Sequence, residues 1–192
     1  MANNYLQHHG IKGQKWGVRK YQNEDGSLTP AGEKRYAKLD KKIGRVEALK
    51  NTNKKVTDAR NAYADQWLAN KNYKAGSKRE ARLTRKAENR KQLNNADLKY
   101  TETVNDFRVA KLKAKKDPSY KNSREYTKLK TKYGQQMTDT FMLGRGGATR
   151  IKYLEGKGMD STSARNRVYG ETMAAGAVLA IAGIAVSSLM SS

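Results

Sequence analysis

The 192-residue chain carries 40 lysines and arginines against 18 aspartates and glutamates, which gives a formal net charge of +22. Folding does not require such an excess, so it predicts a polyanionic partner: nucleic acid, anionic lipid or an acidic protein surface. The absence of cysteine excludes a disulfide framework and any zinc site built on thiolates. The length bounds the chain to one or two domains.

Residues 1–29 form a glycine-rich module with its own aromatic residues. Glycines at this density argue against a helix, although the run from Trp16 to Tyr21 could form a short strand. Asn23–Gly26 is a turn signal in which Gly26 suits a position of positive φ. The module is too small to hold a core of its own, so we expect it to dock on the helices or on a partner.

Thr29 and Pro30 predict the start of a long helix, because threonine caps helices and proline suits the first helical position. The helix is predicted to end before Gly76, with an interruption near Asn51–Asn53 left open. Its apolar stripe has spacings of three and four. The stripe consists of Tyr36, Leu39, Ile43, Val46, Leu49, Val56, Ala59, Tyr63 and Trp67.

Two further helices are predicted between Ser77 and residue 143. Ser77 caps the first of them and Pro118 stops it, and the next begins near Ser123. Their narrow stripes are typical of a coiled-coil-like bundle, so residues 30–143 predict an all-α fold, an elongated helical hairpin or bundle with a basic surface. The stripe residues, assigned to the core, are Leu83, Ala87, Leu93, Ala96, Tyr100, Val104, Phe107, Leu112, Tyr126, Leu129, Tyr133, Met137 and Phe141.

Residues 144–171 are predicted to form a glycine-rich hinge with short amphipathic helices. Gly144, Gly146 and Gly147 break the third helix, a short helix covers 148–155, and Asp160 or Ser161 caps a last helix that could continue into the apolar end of the chain. The cations of this region are candidates for contact with phosphate or lipid. They are Arg145, Arg150, Lys152, Arg165 and Arg167.

The segment 172–192 has no charged residue and predicts an apolar helix that spans a membrane. About 17 residues is the lower limit for a span, and Met173–Met190 just reaches it. Alanine and glycine dominate, which makes the span marginal.

Small residues on one helical face predict close helix packing; they are Gly176, Ala180, Gly183 and Ser187. The basic flank predicts a tail anchor with the body in the cytoplasm, and a buried helix in an oligomer is the alternative. Residues 1–30 contain no apolar region typical of a signal peptide.

The sequence predicts neither an enzyme nor a cofactor. No Ser/His/Asp set or nucleotide-binding fingerprint stands out, and the Gly144–Gly147 run lacks the Gly-Lys-Ser/Thr ending of a phosphate loop. His8 and His9 are adjacent, point in different directions and have no carboxylate or cysteine at ligand spacing. We therefore predict no metal site.

Residues 5–36 contain a distinctive series of motifs: a His-His-Gly at 8–10, a Lys-Gly-Gln-Lys-Trp-Gly at 12–17, a basic pair, and Asp-Gly-Ser-Leu-Thr-Pro-Ala-Gly at 25–32. This series resembles a module found in bacteriophage and prophage proteins of Gram-positive bacteria. Lys20 stands where arginine is usual. Gly147-Ala-Thr-Arg-Ile, Gly158-Met-Asp and Ala164 resemble such proteins more loosely. The resemblance implies virion association without catalysis, docked through His8, His9, Gly10, Lys12, Gly13, Lys15, Trp16, Gly17 and Arg19.

Three functions follow as hypotheses. The first is a virion-associated structural protein that docks to a capsid or portal protein, with its basic helices facing DNA non-specifically and a membrane-active C-terminus. The second is a prophage protein anchored in the host inner membrane that binds anionic lipid or nucleic acid. The third is a coiled-coil assembly or scaffold factor. A homo-oligomer is expected.

Overall fold

A computed structural model describes residues 21–23 and 25–190, with side chains up to residue 175. In this part of the chain the regular elements are helices, so the predicted all-α class is confirmed. They are α1 (Pro30–Ala69), α2 (Lys78–Lys116), a short 3-10 helix (Pro118–Asn122), α3 (Arg124–Gly156) and α4 (Ser161–Met190). The chain divides into two compact units, Met1–Lys42 and Ile43–Ser192, and the boundary lies within α1.

The predicted turn precedes α1. The Asn23 N–H donates to the Ser27 carbonyl at 2.8 Å, and the Gly26 N–H donates to the Asn23 carbonyl at 3.1 Å. Gly26 has a φ of 86°, which glycine adopts without the steric cost of a Cβ atom. Thr29 Oγ1 accepts the Gly32 N–H at 3.1 Å and thereby caps α1, as predicted.

The predicted starts of α2 and α3 are also confirmed. Ser77 Oγ accepts the Glu80 N–H at 3.1 Å at the start of α2, and Ser123 Oγ accepts the Tyr126 N–H at 3.1 Å at the start of α3. Pro118 cannot continue α2, which ends two residues earlier. The interruption that the sequence left open near 51–53 does not occur, and α1 runs through these residues without a break.

Polar contacts join α2 to the part of α1 in the same unit. Lys50 Nζ lies 2.6 Å from Asp106 Oδ1, and Lys91 Nζ lies 2.8 Å from Asp65 Oδ1. Between them, Asn61 Nδ2 donates to an amide oxygen of α2 at 3.0 Å. The reversed order of the partners along the two helices makes the pair antiparallel.

Aromatic packing joins α2 to α3. Phe107 stacks on Tyr133 with ring centroids 4.5 Å apart and meets Tyr126 at 5.9 Å. Gln136 Nε2 donates to the Tyr100 carbonyl at 3.0 Å. Phe107 and Tyr100 are both buried, as the apolar stripe of α2 predicts.

The predicted core is wrong at several stripe positions. In α1 the predicted residue Leu39 is buried, and so are Thr57 and Ala64, which lie outside the predicted stripe. Five stripe residues keep exposed fractions between 43% and 88%: Leu49, Val56, Tyr63, Leu93 and Phe141.

The predicted glycine break is a kink in α3. Gly144 has φ 68° and ψ 172°, which is not helical, whereas the helix continues through the two glycines that follow. Beyond the kink, Ile151 and Leu154 pack with Ala164 and Val168 of α4 in a small buried cluster. The predicted short amphipathic helix thus lies in the second segment of α3 and presents its apolar face to α4.

Helix α4 starts at the predicted cap and continues into the apolar end. Asp160 Oδ1 accepts the N–H groups of Thr162 and Ser163 at 3.0 Å each. Among the helices of the described residues, none is long and apolar enough to cross a membrane, so the predicted transmembrane helix is not supported. The predicted packing residues Gly176, Ala180, Gly183 and Ser187 lie beyond the described side chains.

Candidate nucleic-acid interface

The residues predicted to dock the chain to a particle lie outside the described residues. The set runs from His8 to Arg19, and the structure describes the chain from residue 21. Their role therefore stays a prediction from the resemblance of the first module.

Three of the cations predicted to contact phosphate form ion pairs within the chain. Arg145 Nη2 lies 2.9 Å from Asp97 Oδ1, which joins α3 to α2. Arg150 Nε lies 2.8 Å from Glu171 Oε2, and Arg167 Nε lies 3.1 Å from Glu171 Oε1. Hydrogen bonds from Arg150 and then from Arg167 hold the pKa of Glu171 below its ordinary value.

The other two cations belong to a more buried network between α3 and α4. Arg165 Nε donates to both oxygens of Asp139 at 3.0 and 3.1 Å, and Arg165 Nη1 donates to Ser161 Oγ at 2.9 Å. Lys152 Nζ lies 2.8 Å from Glu155 Oε2. Burial opposes the ionisation of Glu155, but hydrogen bonds from Lys152 and Ser161 lower the pKa of its carboxyl group overall.

All five predicted cations therefore contact a carboxylate of the same chain. A phosphate that approached them would compete with an acid already in place, and displacing it would loosen the contacts among α2, α3 and α4. The structure brings Arg150 and Arg167 together on one carboxylate. It places Arg145 beside a different carboxylate, that of Asp97. In the described residues the five cations therefore do not form a single binding site.

A second concentration of positive charge was missed by the sequence-based prediction. It surrounds the connection between α1 and α2, and residues 71–90 contain eight basic residues against two acidic ones. A local count of charge would have found it, since the excess is visible in the sequence. We define these eight exposed side chains as the hairpin basic surface: Lys71, Lys74, Lys78, Arg79, Arg82, Arg85, Lys86 and Arg90.

The acids near this surface are engaged elsewhere. Glu80 Oε2 accepts the Gly76 N–H at 2.6 Å and so stabilises the start of α2. Glu88 and Asp65 both pair with Lys91, at 3.1 and 2.8 Å. The hydrogen bonds that Lys91 donates to Asp65 and then to Glu88 raise the pKa of its ammonium group. Lys91, which lies outside the hairpin basic surface, therefore forms ion pairs with two of the three nearby carboxylates.

Trp67 connects the two sides of the hairpin. Its ring lies 5.3 Å from Lys71 Nζ and 5.5 Å from Lys86 Nζ, within the range of cation–π attraction. Lys71 follows α1 and Lys86 belongs to α2. Charges from both sides of the connection thus lie on one surface.

The remaining polar groups do not form an evident metal site. In the described part of the chain, no group of three or more His, Cys, Asp or Glu side chains is placed to hold a metal ion. A polar cavity of about 320 Å³ lies beside Glu47, Tyr120 and Glu125, and the Lys50–Asp106 ion pair lines it. His8 and His9 lie outside the described residues.

Comparison with known proteins adds one match. A family of unknown function, DUF7211, matches residues 1–23, which is the glycine-rich N-terminal module. No curated protein and no solved structure matches the chain. The match locates a shared module at the start of the chain and assigns it no activity.

Proposed function

We propose that the chain is a non-enzymatic structural protein of a bacteriophage or prophage particle, held in the particle by its N-terminal module and facing the genome with its basic helices. The observation that supports this most is the coexistence of the phage-like module at residues 5–36 with a net charge of +22. A capsid or portal protein is the proposed docking partner, and packaged DNA is the proposed polyanion.

Electrostatics supports the proposed contact with DNA. Much of the positive charge has no acid within ion-pair distance, as Lys78, Arg79 and Arg82 illustrate in the described part of the chain. Unpaired cations release the counterions of DNA when they contact phosphates, which gives sequence-independent binding with a steep dependence on salt. Such binding suits a protein that lies against a packaged genome of any sequence.

Incorporation into particles tests the docking role. His8, His9 and Trp16 are replaced together by alanine, and the amount of protein in gradient-purified particles is measured. The matched control replaces Gln7 and Gln14 with alanine. Both residues lie in the same module but outside the proposed docking set. We expect the triple variant to be lost from particles and the control to be retained. Normal incorporation of the triple variant would rule out docking through these residues.

A second candidate function is favoured by the exposed apolar residues of α1. Leu49, Val56 and Tyr63 are spaced by seven residues, the repeat of a coiled-coil seam, and all three are substantially exposed. An elongated coiled-coil-like assembly would cover them, which suits a scaffold that acts during assembly. A scaffold would be present in assembling particles and absent from mature ones, whereas a structural component would be present in both.

A further inference from the structure

The hairpin basic surface is a candidate for direct contact with a polyanion, because it gathers cations from both sides of the connection between α1 and α2 around Trp67. Its cations have exposed side chains, and in the described part of the chain no carboxylate lies within ion-pair distance of Lys78, Arg82 or Arg85. The five predicted cations between residues 145 and 167 each contact a carboxylate. Charge that is already neutralised contributes little to counterion release, so unpaired cations such as those of the hairpin basic surface contribute more to the attraction than these five.

Three of these cations lie on one side of α2. Lys78, Arg82 and Lys86 are four residues apart, at intervals of about 6 Å along the helix. Double-stranded DNA carries one negative charge per roughly 1.7 Å of its axis. Phosphates are therefore dense enough along a duplex for the three cations to contact its backbone together.

A nucleic acid fits this surface better than a lipid bilayer does. Helices that bind in the membrane interface place Trp, Phe or Leu on a face next to their cations. On the first three turns of α2, the exposed uncharged side chains are those of Ala81 and Thr84, and Leu83 is half-buried. These residues offer little apolar surface for insertion, and the ring of Trp67 is half-buried and lies beside Lys71 and Lys86.

We propose that the hairpin basic surface binds the phosphate backbone of nucleic acid without reading its bases. The proposal rests on the proposed function for its biological setting, and it moves the nucleic-acid contact from residues 145–167 to residues 71–90. Trp67 supports the site because its ring holds Lys71 and Lys86 on the same surface.

The test compares two triple variants of the full chain that remove the same charge at the same spacing. The first replaces Lys78, Arg82 and Lys86 with glutamine. The control replaces Arg124, Lys128 and Lys132 with glutamine. These three residues are exposed cations of α3 with the same four-residue spacing. Each set has two lysines and one arginine and begins at the first residue of its helix. Circular dichroism establishes that both variants keep their helix content.

Binding is measured by fluorescence anisotropy with a labelled 30-base-pair duplex of mixed sequence over a range of salt concentrations. Each lost phosphate contact lowers the slope of log K against log salt by about 0.9. We expect the hairpin variant to lose about 2–3 units of slope and at least about tenfold in affinity at 0.1 M salt, and the control to lose less than about 1 unit. Equal losses in the two variants would overturn the proposed site, because the charge would then act diffusely.

Two further outcomes separate this proposal from the others. Binding of wild-type protein to phosphatidylserine vesicles, without binding to the duplex, would overturn the proposed nucleic-acid site in favour of a lipid surface. Particle incorporation is measured independently, because the hairpin variant keeps its N-terminal module. Loss of DNA binding with normal incorporation supports the site and the docking role together. Protein that binds DNA through this surface but is absent from particles would contradict only the proposed function.

Discussion

The Asp139→Asn substitution should destabilise the junction between α3 and α4. Both oxygens of Asp139 accept from Arg165 Nε, and the two side chains are 7% and 22% exposed. Loss of the carboxylate charge leaves a largely desolvated guanidinium without its counter-ion, which costs about 3 kcal/mol. For a chain of this size, that change lowers the midpoint of thermal unfolding by roughly 6–12 °C. Urea unfolding followed by circular dichroism at 222 nm measures the loss directly.

Asp97→Asn provides the matched control. It makes the same chemical change in a carboxylate that also pairs with an arginine, but Asp97 and Arg145 are 34% and 57% exposed. Such a pair contributes less than about 1 kcal/mol. Equal or larger destabilisation by Asp97→Asn would show that burial does not determine the strength of these pairs. In an Arg165→Ala background, Asp139→Asn should have a much smaller effect, because the two groups act together.

Two further predictions concern α3. Gly144→Ala should destabilise the chain by about 1–3 kcal/mol because alanine is strained at a positive φ, whereas Gly134→Ala in regular helix should stabilise it by about 0.5–1 kcal/mol. Neither new Cβ atom meets another atom within 4 Å, so opposite signs in urea unfolding report backbone conformation alone, and equal signs would refute the explanation. Glu155, held by Lys152 and Ser161, has a pKa below its ordinary value of 4.5 in the folded chain. Its stabilising contribution is therefore complete above pH 4.5 and is lost as the pH falls through the folded pKa. The difference in unfolding free energy between wild type and Glu155→Gln should shrink between pH 6 and pH 3, and a constant difference would contradict this assignment.

The ends of the helices were predictable because they depend on local chemistry. Ser77, Ser123 and Asp160 satisfy N–H groups two or three residues away, and Pro118 blocks a helix through its own ring. Gly26 adopts the positive φ that its turn requires. None of these features needs a distant part of the chain, so the sequence pattern was sufficient.

The pairing of the predicted phosphate contacts was not predictable in the same way. Asp97 precedes Arg145 by 48 residues, and Asp139 precedes Arg165 by 26. Only the folded chain brings these two pairs together, whereas Lys152–Glu155 and Arg167–Glu171 are local pairs at spacings of three and four residues. The charge excess of the hairpin basic surface is local in the sequence, and its own acids, Glu80 and Glu88, contact groups within four residues.

The error in the predicted core has a related cause. A stripe at helical spacing shows which apolar residues share a face, but it does not show whether another helix covers that face. Leu49 and Val56 share such a face in α1, yet both are exposed, and the contacts that join α1 to α2 are polar pairs such as Lys50–Asp106 and Lys91–Asp65. Phe141 lies three residues before the Gly144 kink and is 88% exposed.

The most direct test is ultraviolet crosslinking of intact, nuclease-treated particles, followed by cleavage at acidic residues and mass spectrometry. A protein that lies against the packaged genome through the hairpin basic surface should be recovered from the particles with nucleotides attached to peptides from residues 71–90. Absence of the protein from purified particles would contradict the proposed virion role. Nucleotide attachment confined to peptides outside residues 71–90 would contradict the proposed binding surface.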